Sequence, residues 1–91
     1  MERLLDVSML GPPEPLVLTL ATLKRLEPGD YLRMRHRMKP CLLYERIEPQ
    51  GFLHDTRRNG RLCEVFIWRM DDEIAAAAVR AAAGSLPSWS E

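Results

Sequence analysis

The chain has 91 residues, with 13 Lys and Arg against 13 Asp and Glu, and a formal net charge of zero. Neutrality removes the global field that draws in nucleic acid or an anionic membrane surface, and no apolar run approaches the roughly 18–20 residues needed to span a bilayer. At 46% hydrophobic and 29% charged residues, the composition is that of one ordinary globular domain, not a disordered chain.

The first element is a short strand, Leu4-Leu5-Asp6-Val7, followed by a turn at Gly11 and a proline-rich helix start. The first helix is expected from about Pro13 to Glu27. Leu16, Leu20 and Leu23 share one face, with Val17 beside them, while Leu18 falls on the polar side. Pro28-Gly29-Asp30 ends it. Tyr31 to Met38 alternates as a second strand: Leu32, Met34, His36 and Met38 on one face, and Tyr31, Arg33, Arg35 and Arg37 on the other. Lys39-Pro40 opens a second helix, Cys41 to about Glu48, with Leu43 and Ile47 on one face.

Phe52 to Arg57 is a third strand, and Asn59-Gly60 is a hairpin signal. Leu62 to Arg69 is the fourth strand, with Cys63, Val65 and Ile67 facing away from Leu62, Glu64, Phe66 and Trp68. Asp71, Asp72 and Glu73 suit the cap and first turn of a third helix, which is nearly all Ala up to Gly84. Its apolar stripe, read as Ile74 and Val79, is thin, which suggests an appendage that packs weakly or serves a partner. Ser85 to Glu91 reads as a flexible tail with one aromatic, Trp89.

The element order βαβαββ makes the first two strands parallel and the last two antiparallel. The expected fold is α+β: a two-layer α/β sandwich of a mixed four-stranded sheet with two helices on one face, plus an appended C-terminal helix. Residues 1–70 form the domain, and residues 71–91 the Ala-rich helix and tail.

Asp6-Val7-Ser8-Met9-Leu10-Gly11-Pro12-Pro13-Glu14-Pro15 carries a resemblance. It is similar to the signature of the TusA/SirA-like sulfur-carrier superfamily, in which an Asp and a Gly-Leu lead into Cys-Pro-x-Pro. Pro12 stands where those carriers have their reactive Cys. This fits a sister family of TusA-like domains of unknown function with Pro-Pro-Glu-Pro at that place. The resemblance covers about Leu5 to Arg69 and implies the same fold without persulfide chemistry at Pro12. It also implies a bacterial protein in redox or nitrogen-oxide metabolism, in some cases beside hemerythrin-like domains.

A parallel β-α-β unit brings strand ends and helix starts to one rim, where ligands commonly bind. That rim gathers Met9, Gly11, Pro12, Glu14, His36, Met38 and Cys41, which form the candidate site. Cys41, in the first turn of a helix, is read either as a relocated sulfur-accepting thiol or as a partly buried apolar residue. Cys63 reads as core. Met34, His36, Met38 and Cys41 have soft-metal chemistry but no established metal spacing. No cofactor is expected.

Pro12, Pro13 and Pro15 remove the N–H donors that a phosphate site would use. Tyr31, Arg33, Arg35, Arg37, Phe66 and Trp68 form a second candidate surface. It reads as a protein-binding face, as a platform for single-stranded nucleic acid, or as an outer face covered by arginine stems or by the third helix. Zero net charge disfavours the platform. The sequence therefore points to a small cytoplasmic domain with a protein partner or small ligand and no membrane role. Both thiols are expected to be reduced, since no secretory leader is read at the N-terminus.

Overall fold

The computed structural model describes residues 1–90. It contains β1 (Glu2–Asp6), α1 (Glu14–Leu23), β2 (Tyr31–His36), α2 (Cys41–Ile47), β3 (Phe52–Asn59), β4 (Leu62–Arg69) and α3 (Glu73–Ala83), with a short 3-10 turn, Glu48–Gln50, after α2. The sheet order is β1-β2-β4-β3. β1 and β2 are parallel, β4 is antiparallel to both β2 and β3, and Met34 sits between Leu5 and Val65. The mixed four-stranded sheet expected from the sequence is therefore present.

Strand alternation divides the interior in two. On one face Leu32, Met34, Cys63, Val65 and Ile67 pack with Val7, Leu23 and Leu26 and with Leu43 and Ile47 of α2, so α1 and α2 share that face. The inner stripe of α1 is Pro15, Thr19 and Leu23, while Leu16 and Leu20 are only partly buried and Val17 is exposed. Thr19 tolerates full burial because its hydroxyl donates to the Pro15 carbonyl at 2.7 Å. The helix stops at Leu23, short of the expected Glu27. Turn bonds from the Arg25 and Leu26 N–H groups to the Thr22 and Leu23 carbonyls swing Leu26 into the core.

On the opposite face Tyr31 and Phe66 are buried beneath Val79 and Ala83 of α3, with Trp68 and Leu86 alongside. This corrects the weakly packed appendage. The stripe that packs is Ala75, Val79 and Ala83, at i, i+4 and i+8. Ile74 lies outside it and is 75% exposed. Small side chains let the helix lie close to the sheet, so its narrow face still seals Phe66. Asp72 fixes its start: one carboxylate oxygen accepts from the Ala75 N–H at 2.9 Å, and the other from the Gly29 N–H at 2.7 Å.

The segment after α3 follows the outer edge of β3. Arg58 N–H donates to the Pro87 carbonyl, Trp89 N–H donates to the Thr56 carbonyl, and Arg57 and Ser88 form a bridge. The Arg58 guanidinium lies 4.2 Å from the centre of the Trp89 ring. The stray aromatic of the sequence thus covers a sheet edge; Glu91 lies outside the described residues. The hairpin loop is Gly60-Arg61, with Gly60 at φ 62°, so Asn59 belongs to β3.

Candidate functional site

The rim is built by the turn after β1. Asp6 Oδ1 accepts from both the Ser8 N–H at 2.9 Å and the Ser8 hydroxyl at 2.6 Å. These bonds, with the more distant charge of Arg35, hold its carboxyl below the ordinary range. The Val7 N–H continues the ladder to the Arg35 carbonyl, and the Leu10 N–H closes the turn on the Val7 carbonyl. Asp6, the first residue of the resemblance motif, therefore shapes the backbone leading into the rim.

The chain then enters α1 through Pro12, Pro13 and Pro15. Gly11 is not left-handed here, and a side chain at its position would meet nothing within 4 Å. The expected turn at Gly11 is present without a left-handed glycine: the Glu14 N–H donates to the Gly11 carbonyl at 3.2 Å across the cis Pro12–Pro13 peptide bond, after the Asp6–Ser8 and Val7–Leu10 bonds have turned the chain once.

Between this proline-lined start of α1, the end of β2 and the start of α2 lies a pocket of about 220 Å³. Pro12, Pro13, Pro15, Leu10 and Leu16 line it from the α1 side, Met34, His36, Arg37 and Met38 from β2 and its extension, and Pro40, Leu42 and Leu43 from α2. Its wall is almost wholly apolar. His36 and Arg37 are the exceptions, and His36 is the buried one: it is 8% exposed, and its Nδ1 accepts from the Arg37 N–H at 2.8 Å. Burial, helped by the Arg37 charge, lowers its pKa, so the ring is neutral with its proton on Nε2.

Of the seven candidate rim residues, Pro12, His36 and Met38 line this pocket. Met9, Gly11, Glu14 and Cys41 are exposed and do not. Met38 lies beyond β2, which ends at His36, so it projects into the exposed mouth and does not continue the buried face. Cys41 was expected to be partly buried. It is exposed because α2 turns Leu43 and Ile47 inward and leaves its first two residues outside. Cys63 is core as expected, and burial pushes its thiol up to about 11. Among the described residues, no group of three or more His, Cys, Asp or Glu is placed to hold a metal ion, and Met34 is buried in the core while Cys41 is outside it.

Sequence reasoning left out of the rim site the lining supplied by Leu10, Pro13, Pro15, Leu16, Met34, Arg37, Pro40, Leu42 and Leu43. The available signal was the density of prolines before both helices: Pro12, Pro13, Pro15 and Pro40 all face one space.

The second candidate surface is closed. Tyr31 and Phe66 lie beneath α3, and burial together with the Glu2 carboxylate pushes the Tyr31 phenol up to about 12. Trp68 is half-buried, and Arg37 is exposed beyond the strand. Arg33 and Arg35 turn to Glu64, which is 0% exposed. Arg33 Nε and Asn59 Nδ2 each donate to a Glu64 oxygen, and an Arg35 Nη2 lies 3.4 Å from one of them. Burial pushes the Glu64 carboxyl up, but these partners outweigh it and hold it below its ordinary value. A charged pair read as an outer surface is thus a buried brace between β2 and β4.

A family described as an uncharacterized conserved protein (DUF2249) matches residues 4–69, and the chain belongs to it. The match begins within β1, spans the rest of the sheet, α1, α2 and the whole lining of the rim pocket, and ends before α3. No curated protein and no solved structure matches the chain.

Proposed function

We propose that the chain is a TusA-like binding module that takes an apolar group, from a protein partner or a small ligand, into the rim pocket. The observation that carries this reading is the pocket itself: concave, apolar, at the carboxyl end of a parallel strand pair, with one buried polar side chain in its wall. It lies beside the place where the resemblance puts a carrier thiol, and Pro12 occupies that place. Among the described residues no helix is long and apolar enough to cross a membrane. A cytoplasmic, redox- or sulfur-related setting is part of the proposal, supported by two unpaired cysteines and by the resemblance.

The test is saturable binding of toluene as an apolar probe. Wild type and Cys41→Ser are expected to bind alike, and Met38→Trp, which fills the exposed mouth, is expected to lose binding. Equal binding by Met38→Trp would sink the reading.

Thiol transfer through Cys41 is the second reading, favoured by its exposure at the rim. It requires fast alkylation of Cys41 near neutral pH and persulfide transfer to that residue. A persulfide absent from Cys41 after incubation with a cysteine desulfurase removes it. Nucleic-acid binding is not proposed, because the aromatics it would stack on are beneath α3.

A further inference from the structure

We propose, building on the rim pocket as a binding site, that its ligand is a small apolar monocarboxylate, its carboxylate held by His36 Nε2–H and Arg37.

Three observations converge. The first is size. At about 220 Å³ the space holds one ring or one branched aliphatic chain; an apolar cavity of about 150 Å³ is enough for benzene. The second is the His36 ring. Its Nδ1 is occupied by the Arg37 N–H, which leaves Nε2–H as the remaining donor, and no partner for it is found among the described residues. Nε2 is not sealed off either; the buried unpartnered side-chain atoms are Arg35 Nε, Trp68 Nε1 and Trp89 Nε1. A donor on a side chain more than nine-tenths buried, in the wall of an apolar pocket, calls for an acceptor brought by whatever enters. The third is charge. Among the described residues no carboxylate lines the pocket, and Arg37 is the one ionised residue that does. An entering acceptor that is anionic gains from both groups, whereas a cation gains from neither.

The apolar body of the ligand would lie against Leu43 and the prolines, as deep pockets with few polar groups require. A neutral His36 with its proton on Nε2 presents a fixed donor, while the positive charge comes from Arg37 at the exposed side.

The experiment titrates the full chain with toluene, benzamide and benzoate at neutral pH and low salt, followed by the shifts of pocket methyl groups. Benzoate is expected to bind at least about tenfold more tightly than toluene, with benzamide between them, as hydrogen bonds to charged groups exceed neutral ones. Arg37→Gln, at an exposed position, should bring benzoate down to the benzamide level. His36→Phe should erase the preference for either acceptor. Should that variant not fold, the imidazole Nε2 resonance of the wild type replaces it: it should move with benzoate and stay with toluene. Toluene and benzoate of equal affinity would overturn the carboxylate assignment and leave the pocket reading standing. Failure of all three probes to bind would overturn both.

Discussion

The two faces of one sheet have been used in opposite ways. Beneath α1 and α2 the packing stops short at the rim and leaves an apolar pocket with a buried imidazole in its wall. Beneath α3 the packing is carried further: Phe66 is fully buried, and the fully buried carboxylate of Glu64 is met by Arg33, Arg35 and Asn59. Both faces hold a buried polar group; the Glu64 carboxylate is met by side chains of the protein itself, whereas the His36 Nε2 donor in the pocket wall has no partner among the described residues. A satisfied polar network fixes a structure, whereas an unsatisfied donor beside a cavity is available to a ligand. The comparison places function on the α1/α2 side and stability on the α3 side.

The largest effect should come from removing the seal. Truncation after Met70 uncovers Phe66 and Tyr31 and deletes Val79. Uncovering each large side chain costs about 1.5–3 kcal/mol, against a total stability of about 5–15 kcal/mol for a small domain. Loss of cooperative thermal unfolding is expected. A truncated chain that still unfolds cooperatively would show that α3 is dispensable and that residues 1–70 stand alone.

The next concerns the brace. Glu64→Gln keeps the shape but removes the buried countercharge of Arg33 and Arg35, leaving them the more exposed Glu2 and Asp6 carboxylates at 3.6 and 3.8 Å, and should cost about 2–3 kcal/mol at pH 7. The Glu64 carboxyl is lowered in the fold. Its contribution is therefore present above the unfolded-state value of about 4.3 and drains away as pH falls through the folded-state value. Urea unfolding of wild type should weaken across that acid range, and the variant should lose less there. An identical acid limb in both proteins would remove Glu64 from the brace.

A smaller pair of changes reads the helix face directly. Val79→Ala should cost about 1–2 kcal/mol, because a buried methyl pair is lost. Ile74→Ala should stay within about 0.5 kcal/mol, because Ile74 is exposed. Reversed magnitudes in chemical denaturation would mean that α3 packs on a different stripe.

These contrasts also mark what the sequence could tell. The sheet was legible because Leu62 to Arg69 alternates cleanly and Asn59-Gly60 announces a hairpin. The rim was legible because a β-α-β order brings strand ends and helix starts together whatever the side chains are. The packing of α3 was not. Ile74 and Val79 are its bulkiest apolar residues, yet the stripe runs through Ala75, Val79 and Ala83, and Ala carries almost no hydropathy signal for which side is inward. Glu64 was hidden for a related reason, since strand alternation assigns it a face but not the helix that covers that face. The exposure of Cys41 turned on the rotation of a seven-residue helix, set by Leu43 and Ile47, and one residue of phase reverses such a reading.

The most direct test of the open rim uses the five methionines. Met34 and Met38 line the pocket, Met9 precedes the lining residue Leu10 at the rim, and Met1 and Met70 are exposed elsewhere. Methyl NMR of the methionine-labelled chain during a toluene titration should show the Met34 and Met38 resonances moving together and saturably, with those of Met1 and Met70 fixed. Saturable shifts at Met1 or Met70 while Met34 and Met38 stay unmoved would contradict a binding site at the rim.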